Sequence, residues 1–378
     1  MDISKLGSLP EESERAEDAQ REEHEETDRS SAYSDSSAFS HPPRRPPQKS
    51  VGRYSVLEWK GHFDREEDIS IPSTNDVFHV YLAGEEGPVI FALHGGGFSG
   101  LSFALSAGKI KQKARVVAMD LRGHGLTSTE NETDLSIETM CNDALSVIKA
   151  IYGESPPSIV LVGHSIGGAV AVHLAAKRTL TCIAGLIVID VVEGTAVASL
   201  GYMQKVLSNR VQHFPSLEKA IECSVKGGNV RNVDSARVSV PSTVRFDDSK
   251  KCFVHRARLE ETDKYWKEWY EGLSEKFLSC PVPKLLLLAG TERLDKALTI
   301  GQMQGKFQMV VVRHTGHAIQ EDVPDEFADL VVGFIARNRI GSEGIKVLVL
   351  KISIFFCLNL LFLRCWGGAQ GRGRLNFV

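Results

Sequence analysis

The sequence predicts an α/β fold, a mostly parallel, doubly wound sheet that carries a helical cap as an insertion. Three observations lead there. Short apolar runs of strand length recur at 89–93, 116–120, 159–162, 185–189, 283–290 and 308–312, and stretches with helical spacing lie between several of them. That is the pattern of buried parallel strands joined by crossover helices. A strand–turn–helix at 158–176 holds Gly163-His164-Ser165-Ile166-Gly167 at its turn. Residues 191–278 then break the alternation with helical segments and no strong strand, as an insertion that covers a site does.

The 378 residues suffice for one large domain with insertions or for two small ones. With 42% hydrophobic and 24% charged residues, the composition is that of a soluble globular chain. A net charge of −4 offers no electrostatic footprint for nucleic acid, so none is expected as a partner. The seven cysteines are odd in number and scattered, with no C-x-x-C pair. Neither a zinc knuckle nor a disulfide framework follows, and a reducing compartment is expected, cytoplasmic with an extension to the nucleus. No basic patch followed by an apolar run marks the start as a secretory signal.

Taken in order, residues 1–50 are acidic, then serine-rich, then Pro/Arg-rich, with too little apolar surface to offset ordering, and read as a disordered tail. The domain is expected over 51–340. Residues 76–82 alternate polar and apolar as an edge strand, and 84–88 form a turn. The buried strand at 89–93 ends in His94-Gly95-Gly96-Gly97, where glycines bring backbone N–H groups close to a ligand. His94 reads as a scaffold for that loop. After 116–120 comes Leu121-Arg122-Gly123-His124-Gly125, in which Asp120, Arg122 and His124 tie the loop together. A helix is expected over 136–151, begun at Ser136.

The strand at 185–189 ends in Asp190, beside the turn of Ser165. In the cap, helices are expected at 196–207, 216–225 and 262–277; the aromatic stripe Tyr265, Trp266, Trp269 and Tyr270 reads as packing of cap onto core. Asp295 follows the strand at 283–290, and His314 and His317 follow the last strand. An amphipathic helix at 325–337 closes the core. In the stretch 341–378 the charge-free run 352–363 is shorter than the ~20 residues of a bilayer span. It reads as an atypical, poorly ordered terminus, so no membrane partner is expected, although this apolar tail is the one feature that leaves an anchor open.

The serine at the tip of a strand–helix turn, with an acid and then a histidine later in the chain, is the order of the α/β-hydrolase fold. A serine hydroxyl is a weak nucleophile until an imidazole takes its proton and a carboxylate fixes that imidazole. Ser165 is the candidate nucleophile and His317 the candidate base, with His314 too near its strand end. For the acid, spacing leaves Asp190 and Asp295 both open. The N–H of Ile166, paired with that of Gly96 or Gly97, is the candidate oxyanion hole. No metal or organic cofactor is called for by this chemistry.

Over about 54–340 the chain also resembles the protein phosphatase methylesterases. The resemblance rests on Leu93-His94-Gly95-Gly96-Gly97, on Gly163-His164-Ser165-Ile166-Gly167-Gly168-Ala169 and on Asp190-Val191-Val192-Glu193-Gly194-Thr195-Ala196. It rests as well on 222–226, 235–239, 264–266 and 277–290, on Gln302-Met303-Gln304-Gly305-Lys306-Phe307 and on Gly316-His317-Ala318. It implies an enzyme that demethylates the C-terminal leucine of the type 2A protein phosphatase catalytic subunit, with Ser165, Asp190 and His317 as nucleophile, acid and base, and Asp295 structural. The phosphatase's C-terminal tail is the implied partner. Two departures stand out: the family's acidic insert in the cap is replaced by a short stretch at 241–253, and the tail after 340 has no counterpart. A small-molecule carboxylesterase and a phosphatase-binding scaffold are the alternatives.

Overall fold

Five of the six apolar runs become parallel strands because each is apolar on both faces, and the sixth closes the far edge of the sheet. In the computed structural model residues 52–72, 74–291 and 294–341 are described; the expectations for the tail at 1–50 and for the terminus beyond 341 lie outside them. The strands are β1 (Arg65–Ser70), β2 (Val77–Ala83), β3 (Val89–Leu93), β4 (Arg115–Met119), β5 (Ile159–His164), β6 (Ile183–Ile189), β7 (His213–Phe214), β8 (Val244–Asp247), β9 (Cys252–His255), β10 (Lys284–Leu288) and β11 (Gln308–Val311). Eight of them form one sheet in the order β1-β2-β4-β3-β5-β6-β10-β11, parallel from β4 onward.

The helices are α1 (Ala104–Ile110), α2 (Ile137–Tyr152), α3 (Ile166–Lys177), α4 (Glu193–Ser208), α5 (Leu217–Lys226), α6 (Val233–Thr243), α7 (Asp263–Tyr270), α8 (Leu273–Ser279), α9 (Lys296–Met303), α10 (Ile319–Asp322) and α11 (Pro324–Arg337). Alternate strand residues feed two cores. Phe91, Leu161, Leu186 and Leu286 pack under α2 and α3, whereas Ile90, Val160, Ile187 and Leu287 pack under α1 and α11. Phe327 and Phe334 are buried from α11, and each such side chain contributes roughly 1.5–3 kcal/mol. Ser136 accepts the Thr139 N–H and caps α2 where the sequence places a helix start.

Three expectations change. The stretch at 76–82 is not the edge: β2 lies between β1 and β4. The true edge, Arg-Glu-Glu-Asp-Ile-Ser, is almost wholly exposed and has no apolar alternation to read, and its charges discourage pairing with another chain. The cap does contain strands, a small antiparallel sheet ordered β7-β9-β8. Its members run for 2 or 4 residues, too short to show a period. The short stretch at 241–253 supplies most of the β8–β9 hairpin, closed by Asp247 Oδ1 accepting from the N–H groups of Ser249 and Lys250. The helix expected at 262–277 is broken into α7 and α8 at Gly272, whose φ is 72°. Glu193 fixes the break by accepting from the N–H groups of Gly272 and Ser274, both at 2.9 Å.

Candidate active site

Ser165 joins β5 to α3 with φ 53° and ψ −119°, a positive-φ backbone that a residue with a side chain keeps only when its surroundings hold it. Its N–H donates to Ile189 O at 3.0 Å. A Cβ on Gly163 would strike the Gly167 carbonyl, and one on Gly167 would strike the carbonyls of Leu93 and His94. The glycine spacing is thus a demand of backbone packed on backbone.

Asp190 ends β6, the strand next to β5, also at positive φ (51°). Its N–H donates to Leu287 O at 2.8 Å, and its Oδ1 accepts the Ala289 N–H at 2.9 Å. Its Oδ2 lies 2.8 Å from His317 Nδ1. The carboxylate is 0% exposed and the His317 side chain 43% exposed, so the acid is sealed and the imidazole can exchange protons with what enters the cleft. With Nδ1–H directed at the carboxylate, Nε2 is the nitrogen left to accept a proton. Asp295 does something else: it caps α9, Oδ1 accepting the Leu298 N–H at 2.8 Å, and its other oxygen accepts the Ser274 hydroxyl. Of the two acids that spacing leaves open, only Asp190 meets the histidine. His314 is an exposed turn residue with φ 66°.

The Ser165 hydroxyl makes no hydrogen bond to the His317 ring among the described residues. Its side-chain neighbour is Tyr270, from the end of α7. Burial pushes that phenol up to about 12, and a hydrogen bond with Ser165 opposes the shift. Catalytic hydrogen bonds commonly tighten only once substrate is bound. Trp266 and Trp269 follow the packing expectation, their indole N–H groups donating to Thr262 Oγ1 (3.0 Å) and Leu135 O (2.7 Å). Tyr270 does not stop at packing, and nothing in the stripe's spacing marks it as the member that reaches the serine.

Around the glycine loop the structure supplies a scaffold of neutral histidines. His94, fully buried, accepts the Leu121 N–H on Nε2 at 2.9 Å and donates from Nδ1 to Gly95 O at 2.8 Å. Burial, with His124 nearby, holds it well below the ordinary histidine value. Asp120 accepts from the N–H groups of Gly100 (2.6 Å) and Leu126 (2.8 Å), and Arg122 bridges Asp143 and Asp76. These residues tie the loop as expected. His124 accepts the Gly97 N–H on Nε2 at 3.0 Å, and burial pulls its pKa down to about 4. That bond engages the Gly97 N–H, so of the two glycines Gly96 is the one whose N–H it leaves for a pairing with Ile166. The N–H of Ile166, first in α3, has no partner inside the helix.

His164, the variable position before Ser165, was read only as part of the motif. It is fully buried, and its Nε2–H donates to the His317 carbonyl at 2.9 Å, their rings 4.7 Å apart. Burial, then the nearness of His317, holds it well below the ordinary value and therefore neutral. It fixes the backbone of the base's own loop. Beyond α10, cap helix α6 helps: Ser235 and Ser239 donate to the carbonyl and Oε2 of Glu321, both at 2.7 Å. A cleft of about 690 Å³ opens beside the site, with Gly96, Gly97, Phe98, Arg210, Leu259 and His317 among its walls.

This arrangement fits acyl transfer, and comparison with known proteins agrees. The model of the alpha/beta hydrolase family matches residues 89–330. Protein phosphatase methylesterase 1 of Bos taurus is 45% identical across 76% of this chain and 87% of its own. The probable protein phosphatase methylesterase 1 of Caenorhabditis elegans is 47% identical across 81% of this chain and 85% of its own. Among solved structures, E-2-(acetamidomethylene)succinate hydrolase superposes with a TM-score of 0.61 at 20% identity, over 72% of this chain and 99% of that one, a likeness of fold.

Proposed function

The chain belongs to the protein phosphatase methylesterases within the alpha/beta hydrolase family and is a carboxylic ester hydrolase, and from that premise we propose that it removes the methyl ester from the C-terminal leucine of the type 2A protein phosphatase catalytic subunit, with Ser165, His317 and Asp190 as its triad. The Asp190–His317 pair beside the Ser165 turn carries this reading. Substrate entry draws the Ser165 hydroxyl from Tyr270 to His317 Nε2. Oγ then attacks the ester carbonyl while His317 takes its proton, and Asp190 stabilises the imidazolium. The N–H groups of Ile166 and Gly96 receive the oxyanion. Collapse expels methanol, protonated by His317. Water, deprotonated by the same ring, attacks the acyl-enzyme, and the leucine carboxylate leaves with Ser165 restored.

The test is mass spectrometry of the phosphatase's C-terminal peptide before and after incubation. Wild type should remove the methyl group, and Ser165→Ala should be slower by a factor of about 10⁴ or more. Demethylation at an undiminished rate by purified Ser165→Ala would refute the assignment.

A further inference from the structure

Arg210 is a cation that the ester chemistry above does not use. It follows α4 and lines the cleft; a Cβ placed on Gly97 would lie 3.4 Å from its Nη1, so the guanidinium rests against the glycine loop, one residue from Gly96. The side chain is partly buried, and its buried Nε has no hydrogen-bond partner among the described residues. Glu260 is the carboxylate in electrostatic range, and it forms no ion pair with Arg210 among the described residues. The other titratable neighbours offer no counter-charge. His124 and His255 are both held at about 4, chiefly by burial, and are neutral at physiological pH. His124 is committed to Gly97 and Arg122, and His255 Nε2 to Val211 O at 3.0 Å. Burial also lowers the guanidinium's own pKa, a direct sign of its desolvation.

A desolvated guanidinium with an unsatisfied donor is a liability in the free protein. What relieves it is an acceptor that matches its planar fork, above all a carboxylate. The proposed reaction places peptide, and finally a new carboxylate, next to Gly96. We propose that Arg210 is the carboxylate receptor of this cleft, holding an acidic group on the peptide that bears the ester: a side chain upstream of the esterified residue, or the terminal carboxylate that hydrolysis releases. The inference rests on the esterase reading for the peptide's presence but is tested by binding.

The experiment measures fluorescence-anisotropy binding of labelled leucine-ending peptides to the full chain. One peptide has a free terminal carboxylate and no acidic side chain, one a terminal amide and a single upstream Asp, and one neither acid. Wild type should bind at least one acidic peptide about 10-fold or more tightly than the neutral one, the gain expected of a charge-assisted pair. The acidic peptide that is preferred identifies the source. Arg210→Gln should erase the preference, and Arg210→Lys should restore part of it. Because the guanidinium has no side-chain partner among the described residues to orphan, Arg210→Gln should melt no lower than wild type. No preference in wild type, a preference that survives Arg210→Gln, or a melting point several degrees lower in that variant would each overturn the proposal. Turnover of p-nitrophenyl acetate in all three proteins reports separately on the esterase reading: its absence in wild type sinks that reading and leaves the binding result standing.

Discussion

The carboxyl edge of the sheet and the cap that covers it treat polar groups in opposite ways. At the sheet edge Asp190, Asp120, Arg122, His94 and His124 each have defined partners, most of them backbone N–H or C=O groups. In the cap, α4 buries only Leu207, leaves Tyr202 71% and Val206 66% exposed, and is followed by the unmatched Arg210. A low-dielectric network is stable only when fully paired, and pairing freezes geometry. Reacting groups need that rigidity, whereas a surface that accepts a partner must keep contacts uncommitted. In the proposed function chemistry belongs to the core and recognition to the cap, and substitutions in each region test that division.

The largest effect belongs to the core. Asp190→Asn keeps the shape but reverses one hydrogen bond to His317, and it should lower kcat on a p-nitrophenyl ester by about 10³–10⁴-fold with little change in KM. Asp295→Asn is the matched control: it should lose up to ~1 kcal/mol through a weaker α9 cap and leave kcat intact. Steady-state kinetics that hurt Asp295→Asn more than Asp190→Asn would reverse the assignment of the acid. Next comes Gly167→Ala. Its methyl would enter the Leu93 and His94 carbonyls, which are backbone and cannot swing away. A loss of about 3 kcal/mol, or failure to fold, is expected from chemical denaturation; a loss below ~1 kcal/mol would mean that the turn is looser than its geometry implies.

How much was legible follows the same division. The parallel strands, the glycine-flanked turn of Ser165, the closing helix and the residues that meet at the sheet edge could be read, because burial on both faces writes continuous apolar runs in all but the edge strand β11 and the turn admits only glycine at two positions. The edge β1 and the cap sheet could not. Charged Arg65–Ser70 carries no apolar alternation, and strands such as His213–Phe214 are too short for a period. Spacing left Asp190 and Asp295 level because both follow core strands. The resemblance implied Asp190, and the third dimension adds why: one acid meets His317 and the other caps α9. His164 and Tyr270 were missed for a different reason: their roles depend on where a buried ring ends, and composition records only that the ring is there.

Glu321 sits at the seam between the regions, buried in α10 beneath α6, with Oε1 lacking a partner among the described residues. Burial, reinforced by Asp322 and opposed by the Ser239 hydrogen bond, pushes its carboxyl up to about 8. Between the ordinary glutamate value and about 8 the unfolded chain is ionised while the folded chain keeps its proton. The folded state therefore binds more protons, and stability falls as pH rises across that window, the full penalty standing above it. Glu321→Gln lacks this term. The stability of wild type minus that of Glu321→Gln should thus decline by about 2 kcal/mol or more from pH 5 to pH 8, roughly 3 °C or more in Tm. Subtracting the variant removes the opposite trend of the buried histidines. A difference in Tm that stays flat over this range would show that the Glu321 carboxyl is already paired or solvated in the folded protein.

The smallest effect on the isolated protein should come from the cap surface, and its smallness is what gives it value. Val197→Ser and Tyr202→Ser, made together on α4 away from the cleft walls, remove exposed apolar area that no core cluster uses. Their effect on unfolding free energy should stay within about 0.5 kcal/mol, and turnover of a p-nitrophenyl ester should match wild type. Demethylation of the intact phosphatase should fall, because an exposed apolar patch on a soluble protein marks contact with another molecule. Equal loss on both substrates would tie α4 to the chemistry, and no loss on either would leave the cap as cover alone. Only loss confined to the protein substrate keeps the two regions separate, one that breaks an ester and one that selects whose ester is broken.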